Sequence, residues 1–138
     1  MMDVRKITFQ QHGDERGQLV AIEELLDAPF EFKRIYFMYD TKNGVRRGYH
    51  AHRKLKQILF CVHGNCKIHV DDGERTCEYL LNKPYEGLFI DGLIWREMYD
   101  FSEDAVLMVI ASDFYNERDY IRDYDKFKEV VSKLHDTN

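Results

Sequence analysis

Two histidines one residue apart, His50 and His52, stand in a run dense with groups that handle protons or anions: Arg46-Arg47-Gly48-Tyr49-His50-Ala51-His52-Arg53-Lys54. In an extended strand, side chains two apart share a face, so both imidazoles project together and the small Ala51 points the other way. Such a pair can bind a metal ion, move protons, or sit hydrogen-bonded near a surface.

For metal binding, the His-x-His pair resembles the first metal motif of the cupins, in which a Glu four or five residues on and a His from a later strand complete the site. Here those positions hold Lys56 and Gln57, and the segment from Asp91 to Arg96 puts Trp95 and Arg96 where the late His belongs. A charged lysine or guanidinium offers no lone pair and repels a divalent ion, so no metal is expected. Proton transfer fits the surroundings better. An imidazole of pKa about 6.5 takes and returns a proton near neutrality, as enolisation of a ketone requires. The flanking cations then stabilise an enolate oxygen or clamp a phosphorylated substrate.

The elements that must position these residues are mostly strands. Short apolar or alternating stretches recur over 4–9, 18–23, 33–39, 47–52, 57–62, 66–70, 75–80, 87–90, 95–99 and 105–111, at the spacing of an all-β sandwich or barrel. His63-Gly64-Asn65 and Asp71-Asp72-Gly73 read as hairpin turns, which makes the central stretch an antiparallel meander. Beyond Asp113 the pattern changes: Tyr124, Phe127, Val131 and Leu134 recur at helical spacing among charged residues, describing an amphipathic helix on the sheets. The segment from Asp119 to Asp125 reads as a charged helix start and loop.

The chain of 138 residues fits a single domain over 1–138. Its content of 44% hydrophobic and 14% aromatic residues excludes a disordered chain and suits a β-rich core. Cys61, Cys66 and Cys77 are odd in number and lack CxxC spacing, unlike a disulfide framework or zinc ribbon, so a reducing cytoplasm is expected. No stretch has the apolar length of a secretion signal or membrane span. The formal net charge of −5 argues against nucleic acid and anionic membrane surfaces. That charge is uneven: Lys33 to Lys56 holds eight basic residues and one acid, a net +7 that leaves −12 elsewhere. The basic segment contains both histidines and suits a small diphosphate-bearing substrate. His12, His63, His69 and His135 are expected to be solvated, and the thiols are not expected to act as nucleophiles.

Five segments together resemble the nucleotide sugar 3,4-ketoisomerases, which are cupins acting on TDP-4-keto-6-deoxyglucose. They are Arg16-Gly17-Gln18-Leu19-Val20-Ala21-Ile22-Glu23-Glu24, Lys33-Arg34-Ile35-Tyr36, Arg47-Gly48-Tyr49-His50-Ala51-His52, Trp95-Arg96-Glu97-Met98 and Asp119-Tyr120-Ile121-Arg122-Asp123-Tyr124. The resemblance covers nearly the whole chain, whereas Arg-Gly-x-His alone is shared with the deoxysugar 3,5-epimerases.

The resemblance implies an all-β, cupin-type antiparallel sandwich or jelly roll with a C-terminal helix. It implies a cofactor-independent isomerase that moves the carbonyl of a TDP-linked 4-keto-6-deoxyhexose from C4 to C3, supplying a 3-amino-3,6-dideoxysugar for surface glycans. By match to the motif, His50 is the base and His52 its partner in proton transfer. Electrophilic assistance falls to Tyr36, Arg16 or Arg96, and Arg34 with Arg47 resembles a diphosphate clamp. The thymine is expected on an aromatic residue that the sequence does not single out. Some relatives carry His where this chain has Arg96, so Arg16 with Arg96 is expected to set the C4 configuration, with gluco and galacto both open. The family also implies a homodimer in which an N-terminal strand, here 4–9, crosses to the partner. A 3,5-epimerase and a non-catalytic sugar-nucleotide-binding cupin are the alternatives.

Overall fold

The computed structural model describes residues 3–136; the two outermost residues at each end of the expected 1–138 domain lie outside them. The ten expected stretches account for ten of the twelve strands, β2 and β12 lying outside them: β1 (Val4–Thr8), β2 (Gln11–Asp14), β3 (Gly17–Val20), β4 (Arg34–Met38), β5 (Arg47–His52), β6 (Gln57–His63), β7 (Cys66–Asp71), β8 (Thr76–Leu81), β9 (Glu86–Ile90), β10 (Trp95–Tyr99), β11 (Val106–Ala111) and β12 (Tyr120–Ile121). One helix, α1 (Tyr124–Asp136), closes the described chain. Two five-stranded antiparallel sheets, β1-β9-β6-β11-β4 and β12-β5-β10-β7-β8, form the expected all-β cupin-type sandwich, and β2 with β3 makes a separate hairpin.

Each sheet buries its inner face and part of its outer face. Between them lies an apolar core that includes Leu59, Cys61, Cys66, Ile68, Leu107 and Val109. On the outer face of the first sheet, Ile58, Phe60, Phe89 and Ile110 pack against Phe9, Ala28 and Phe30 from the segments around it. This explains why β6 reads as a nearly continuous apolar run rather than an alternation: it is a central strand with no solvated face. On the outer face of the second sheet, Phe127 and Val131 of α1 cover Ala51, Trp95 and Ile121. The Asp123 side chain accepts from the Asp125 amide at the start of α1, and Lys133 and His135 lie in its last turn, where cations complement the helix dipole.

Two expectations need correction. The central stretch is not a meander: β6 and β7 follow one another but belong to different sheets, so His63-Gly64-Asn65 turns a corner between sheets instead of closing a hairpin. Gly64 has φ of 68°, and Asn65 is tied to Ser102 by its amide and carbonyl. Apolar periodicity reports which residues are inward and not which sheet receives the strand. Second, Tyr120–Ile121 is an edge strand paired with His52 and Ala51, not part of a helix start. β1 lies at the edge of the first sheet and pairs with β9, Val4 opposite Ile90 through Thr8 opposite Glu86. The hairpin Asp71-Asp72-Gly73 is as expected, joining β7 to β8.

Candidate active site

The conformation of the β5 backbone sets the site. Opposite β10 the register slips between Arg96 and Glu97, with Arg96 facing His50 and Glu97 facing Gly48, so Tyr49 is an extra, bulged residue. Gly48 and Tyr49 both have positive φ, 95° and 55°. A side chain at Gly48 would place its Cβ 2.8 Å from the Arg96 carbonyl oxygen, so only glycine fits there. The bulge lets the His50 ring reach back, its Nδ1 donating to the Gly48 carbonyl at 3.0 Å. A carbonyl only accepts, so the proton is on Nδ1 and the lone pair on Nε2.

His52, two residues on, is fully buried. Its Nδ1 meets the Asp119 carboxylate at 2.9 Å, while the other Asp119 oxygen accepts from the Lys54 amide at 2.8 Å. His52 is thus held in the same tautomer as His50. The Nε2 atoms of both histidines are buried and, among the described residues, have no hydrogen-bond partner. The two rings stand edge to face with centroids 4.9 Å apart, and Tyr120 lies against both at 5.1 and 4.3 Å. Burial, and then the positive charge of Arg96, pushes His50 down to about 4 and His52 down to about 2. Both are neutral bases at neutral pH.

A cavity of about 540 Å³ opens over this layer, lined among others by Arg34, Tyr36, Arg47, His50, Tyr120 and Arg122. Of the residues expected from sequence, Arg34, Tyr36, Arg47 and His50 therefore meet at its wall. Arg34 lies over the Tyr36 and Tyr115 rings at 5.2 and 5.8 Å, with a buried Nε that no described residue accepts from. Arg122 lies over Tyr120 at 4.2 Å and is bound to Glu117 through two nitrogens. That pairing holds Glu117 down at about 2 and leaves Arg34 and Arg47 as the cations best placed for an anion.

Three expected residues stand elsewhere. His52 and Arg96 lie behind the cavity wall, both with 0% exposure. Arg16 is on the β2–β3 turn with a side chain 86% exposed, forked onto Asp14, and the chain does not bring it to the cavity. Sequence reasoning missed Asp119, Tyr120 and Arg122, which reach the histidines only because β12 pairs with β5. The remaining histidines behave as surface groups; His63, His69 and His135 each face a carboxylate.

A divalent ion does not suit this donor set. Gln57, at the position of a cupin ligand, is spent on the buried Arg96 guanidinium at 2.5 Å. Among the described residues no group of three His, Cys, Asp or Glu gathers where it could hold a metal.

A family model described as FdtA, WxcM-like, C-terminal matches residues 2–132. A curated TDP-4-oxo-6-deoxy-alpha-D-glucose-3,4-oxoisomerase of Aneurinibacillus thermoaerophilus is 48% identical over 133 residues, 96% of each chain. A crystal structure of a 3,4-ketoisomerase from Helicobacter canadensis superposes with a TM-score of 0.92 at 49% identity, covering 94% of this chain and 98% of that one. A histidine-to-asparagine mutant of the 3,4-ketoisomerase QdtA from Thermoanaerobacterium thermosaccharolyticum, in complex with TDP-4-keto-6-deoxyglucose, gives 0.94 at 41% identity over 96% of both chains. By sequence over almost its whole length and by fold, the chain belongs to the FdtA-like family of sugar nucleotide 3,4-ketoisomerases.

Proposed function

We propose that the chain converts TDP-4-keto-6-deoxyglucose into a TDP-3-keto-6-deoxyhexose by histidine acid/base catalysis without a cofactor. The observation that carries this reading is the pair of tautomer-locked, neutral imidazoles with free Nε2 atoms, one of them at the cavity wall. Relatives named or crystallised with this sugar nucleotide support the substrate.

In the proposed reaction, His50 Nε2 removes the C3 proton. The C–H electrons form the C3=C4 bond, and the C4 carbonyl electrons pass to its oxygen, which takes a hydrogen bond and then a proton. From the enediol, O3 gives up its proton, the C3 carbonyl forms and C4 is protonated, so no atom is gained or lost. His52 is the partner in this exchange: with Nδ1 held by Asp119, its Nε2 is the nitrogen left for the proton. Tyr36 at the cavity wall is the donor to O4, and Arg34 with Arg47 clamps the diphosphate through planar donor forks. The product ketone is a substrate for transamination at C3, which places the enzyme before an aminotransferase in 3-amino-3,6-dideoxysugar synthesis.

A homodimer belongs to the same reading. β1, the N-terminal strand expected to cross to a partner, lies at the edge of the first sheet against β9, a place the same strand of a second copy can take. Ile35 and Phe37 on edge strand β4 and Tyr39 just beyond it are exposed, a surface a second copy would cover. Light scattering tests this; a monomer at micromolar concentration removes it. Among the described residues no helix is long and apolar enough to cross a membrane, and the free thiols support a reducing cytoplasm.

Proton NMR of TDP-4-keto-6-deoxyglucose with the protein in deuterated water is the direct test. A 3-keto product with deuterium washed into C3 of the remaining substrate is expected, and the C4 coupling distinguishes gluco from galacto. An unchanged spectrum alongside tight TDP binding would leave a binding protein and end the isomerase reading.

A further inference from the structure

Arg96 is fully buried, and its hydrogen bonds go to neutral acceptors. Nε and Nη2 donate to the Ile94 carbonyl at 3.3 and 2.9 Å, and Nη1 donates to the Gln57 side chain at 2.5 Å. Burial lowers its pKa only to about 10, so it stays a cation at neutral pH. A buried charge with no hydrogen-bonded counter-ion costs several kcal/mol to desolvate, and a fold stable without it has no reason to keep it in the core.

The consequence lies in what a guanidinium can do to an amide. Arginine has donors and no acceptor, so the end of Gln57 facing Arg96 must be Oε1. The NH2 end then faces the other way, where Nε2 donates to the Tyr36 hydroxyl at 2.8 Å. Gln57 on β6 and Arg34 on β4 both face Ala111 of the intervening β11, with Tyr36 two residues along β4. The single methyl of Ala111 leaves room for the amide to reach across. With its oxygen accepting from Gln57, the Tyr36 phenol has its own proton to give. Among the described residues no acceptor takes it, and Tyr36 opens onto the cavity beside His50.

We propose that Gln57 is a positioning residue: oriented by Arg96, its amide fixes Tyr36 as a hydrogen-bond donor toward the carbonyl oxygen of the bound ketosugar. The inference rests on reading the cavity as the ketoisomerase site. The chain of donors runs one way, from Arg96 to Gln57 to Tyr36 to substrate, so charge growing on the sugar oxygen is met by a phenol whose own oxygen is supported by an N–H and, behind it, a full positive charge. It also gives the buried guanidinium a purpose at one remove from the substrate.

Gln57→Glu tests this with almost no change of shape. The carboxylate keeps a partner for Arg96 but has no N–H, so it accepts the Tyr36 proton and turns the phenol away from substrate. The expected result is a fall in kcat of about 10²-fold, matching Tyr36→Phe, with KM and TDP affinity within a few-fold of wild type. Combining Gln57→Glu with Tyr36→Phe is expected to lower kcat no further than Tyr36→Phe alone. Wild-type kcat in Gln57→Glu, or losses that multiply in the double variant, would overturn the role of Gln57 and leave the isomerase reading standing. No turnover by the wild-type protein would overturn both. Should Gln57→Glu fail to fold, Gln57→Met, which holds the phenol in neither direction, must give a kcat between wild type and Tyr36→Phe; a kcat equal to wild type overturns the proposal.

Discussion

Along β6 the inward-facing side chains run Gln57, Leu59, Cys61, and that order maps the whole interior. At the Cys61 end the two sheets meet through Cys66, Ile68 and Leu107, all fully buried, with the Cys61 and Cys66 sulfurs 3.5 Å apart. At the Gln57 end the same sheets face each other through His50, His52, Arg96 and Tyr36. One end gains about 1.5–3 kcal/mol for each large apolar side chain it buries. The other holds a lone guanidinium and two imidazoles with unpartnered nitrogens, which burial penalises. The comparison teaches that stability and chemistry are separated along the strands of a single sandwich, so each end can be altered with a different consequence.

The sharpest contrast sets His50→Asn against Leu107→Ala. His50→Asn is expected to lower turnover by about 10² to 10⁴-fold while the melting temperature holds. Leu107→Ala is expected to cost about 2–5 kcal/mol of stability with kcat per folded molecule unchanged. Steady-state kinetics and urea unfolding on both variants check it, and a catalytic loss in Leu107→Ala would erase the division.

A stronger attempt to break the comparison makes the polar end apolar. Arg96→Met combined with Gln57→Leu is expected to raise stability by about 1–4 kcal/mol, as replacement of buried charged groups by apolar ones of similar volume can do, and to lower kcat by no more than the roughly 10²-fold loss of Tyr36→Phe. A lower unfolding midpoint than wild type would mean that the buried charge supports the fold.

Of the two ends, acidification acts on the polar one. His50 and His52 bind protons less readily folded than unfolded, so between their unfolded pKa of about 6.5 and their folded values the unfolded state carries the extra protons. Stability is therefore full above pH 6.5 and falls as pH drops toward about 4, where the His50 contribution ends; that of His52 continues to about 2. Each histidine adds a slope of about 1.4 kcal/mol per pH unit in its window. Urea unfolding at pH 7 and pH 5 should show His50→Asn shallower than wild type by one such slope. The acid limb of kcat/KM is expected near 4, not near 6.5.

The smallest effect belongs to the apolar end. Cys66→Ala removes one sulfur from the core and is expected to cost about 1 kcal/mol with no change in kcat or in the pH profile.

Most strands of both ends were legible in the sequence, as a continuous apolar run around Leu59 on β6 and as shorter apolar or alternating stretches elsewhere. The Arg-Gly-x-His spacing was legible too, and the bulge at Gly48 and Tyr49 supplies its physical reason. Asp119 and Tyr120 were not. They lie 67 and 68 positions beyond His52 and meet it only through a two-residue strand with no apolar alternation to announce it. Gln57 was visible as the residue in place of a metal ligand, but not as an oriented dipole, since its direction is set by an arginine on a strand of the opposite sheet.

By itself the sequence determined the all-β class, an amphipathic C-terminal helix packed on the sheets, the basic segment inside an acidic chain and the paired histidines on one face. These follow from local periodicity, charge order and side-chain chemistry, which need no knowledge of neighbours. The tertiary structure decided which nitrogen of each histidine is free, that His52 and Arg96 stand behind the cavity wall, and that Arg16 stays away from it. Hydrogen-bond direction and burial belong to contacts between strands distant in sequence, and only the folded arrangement of the two sheets brings those groups within reach of one another.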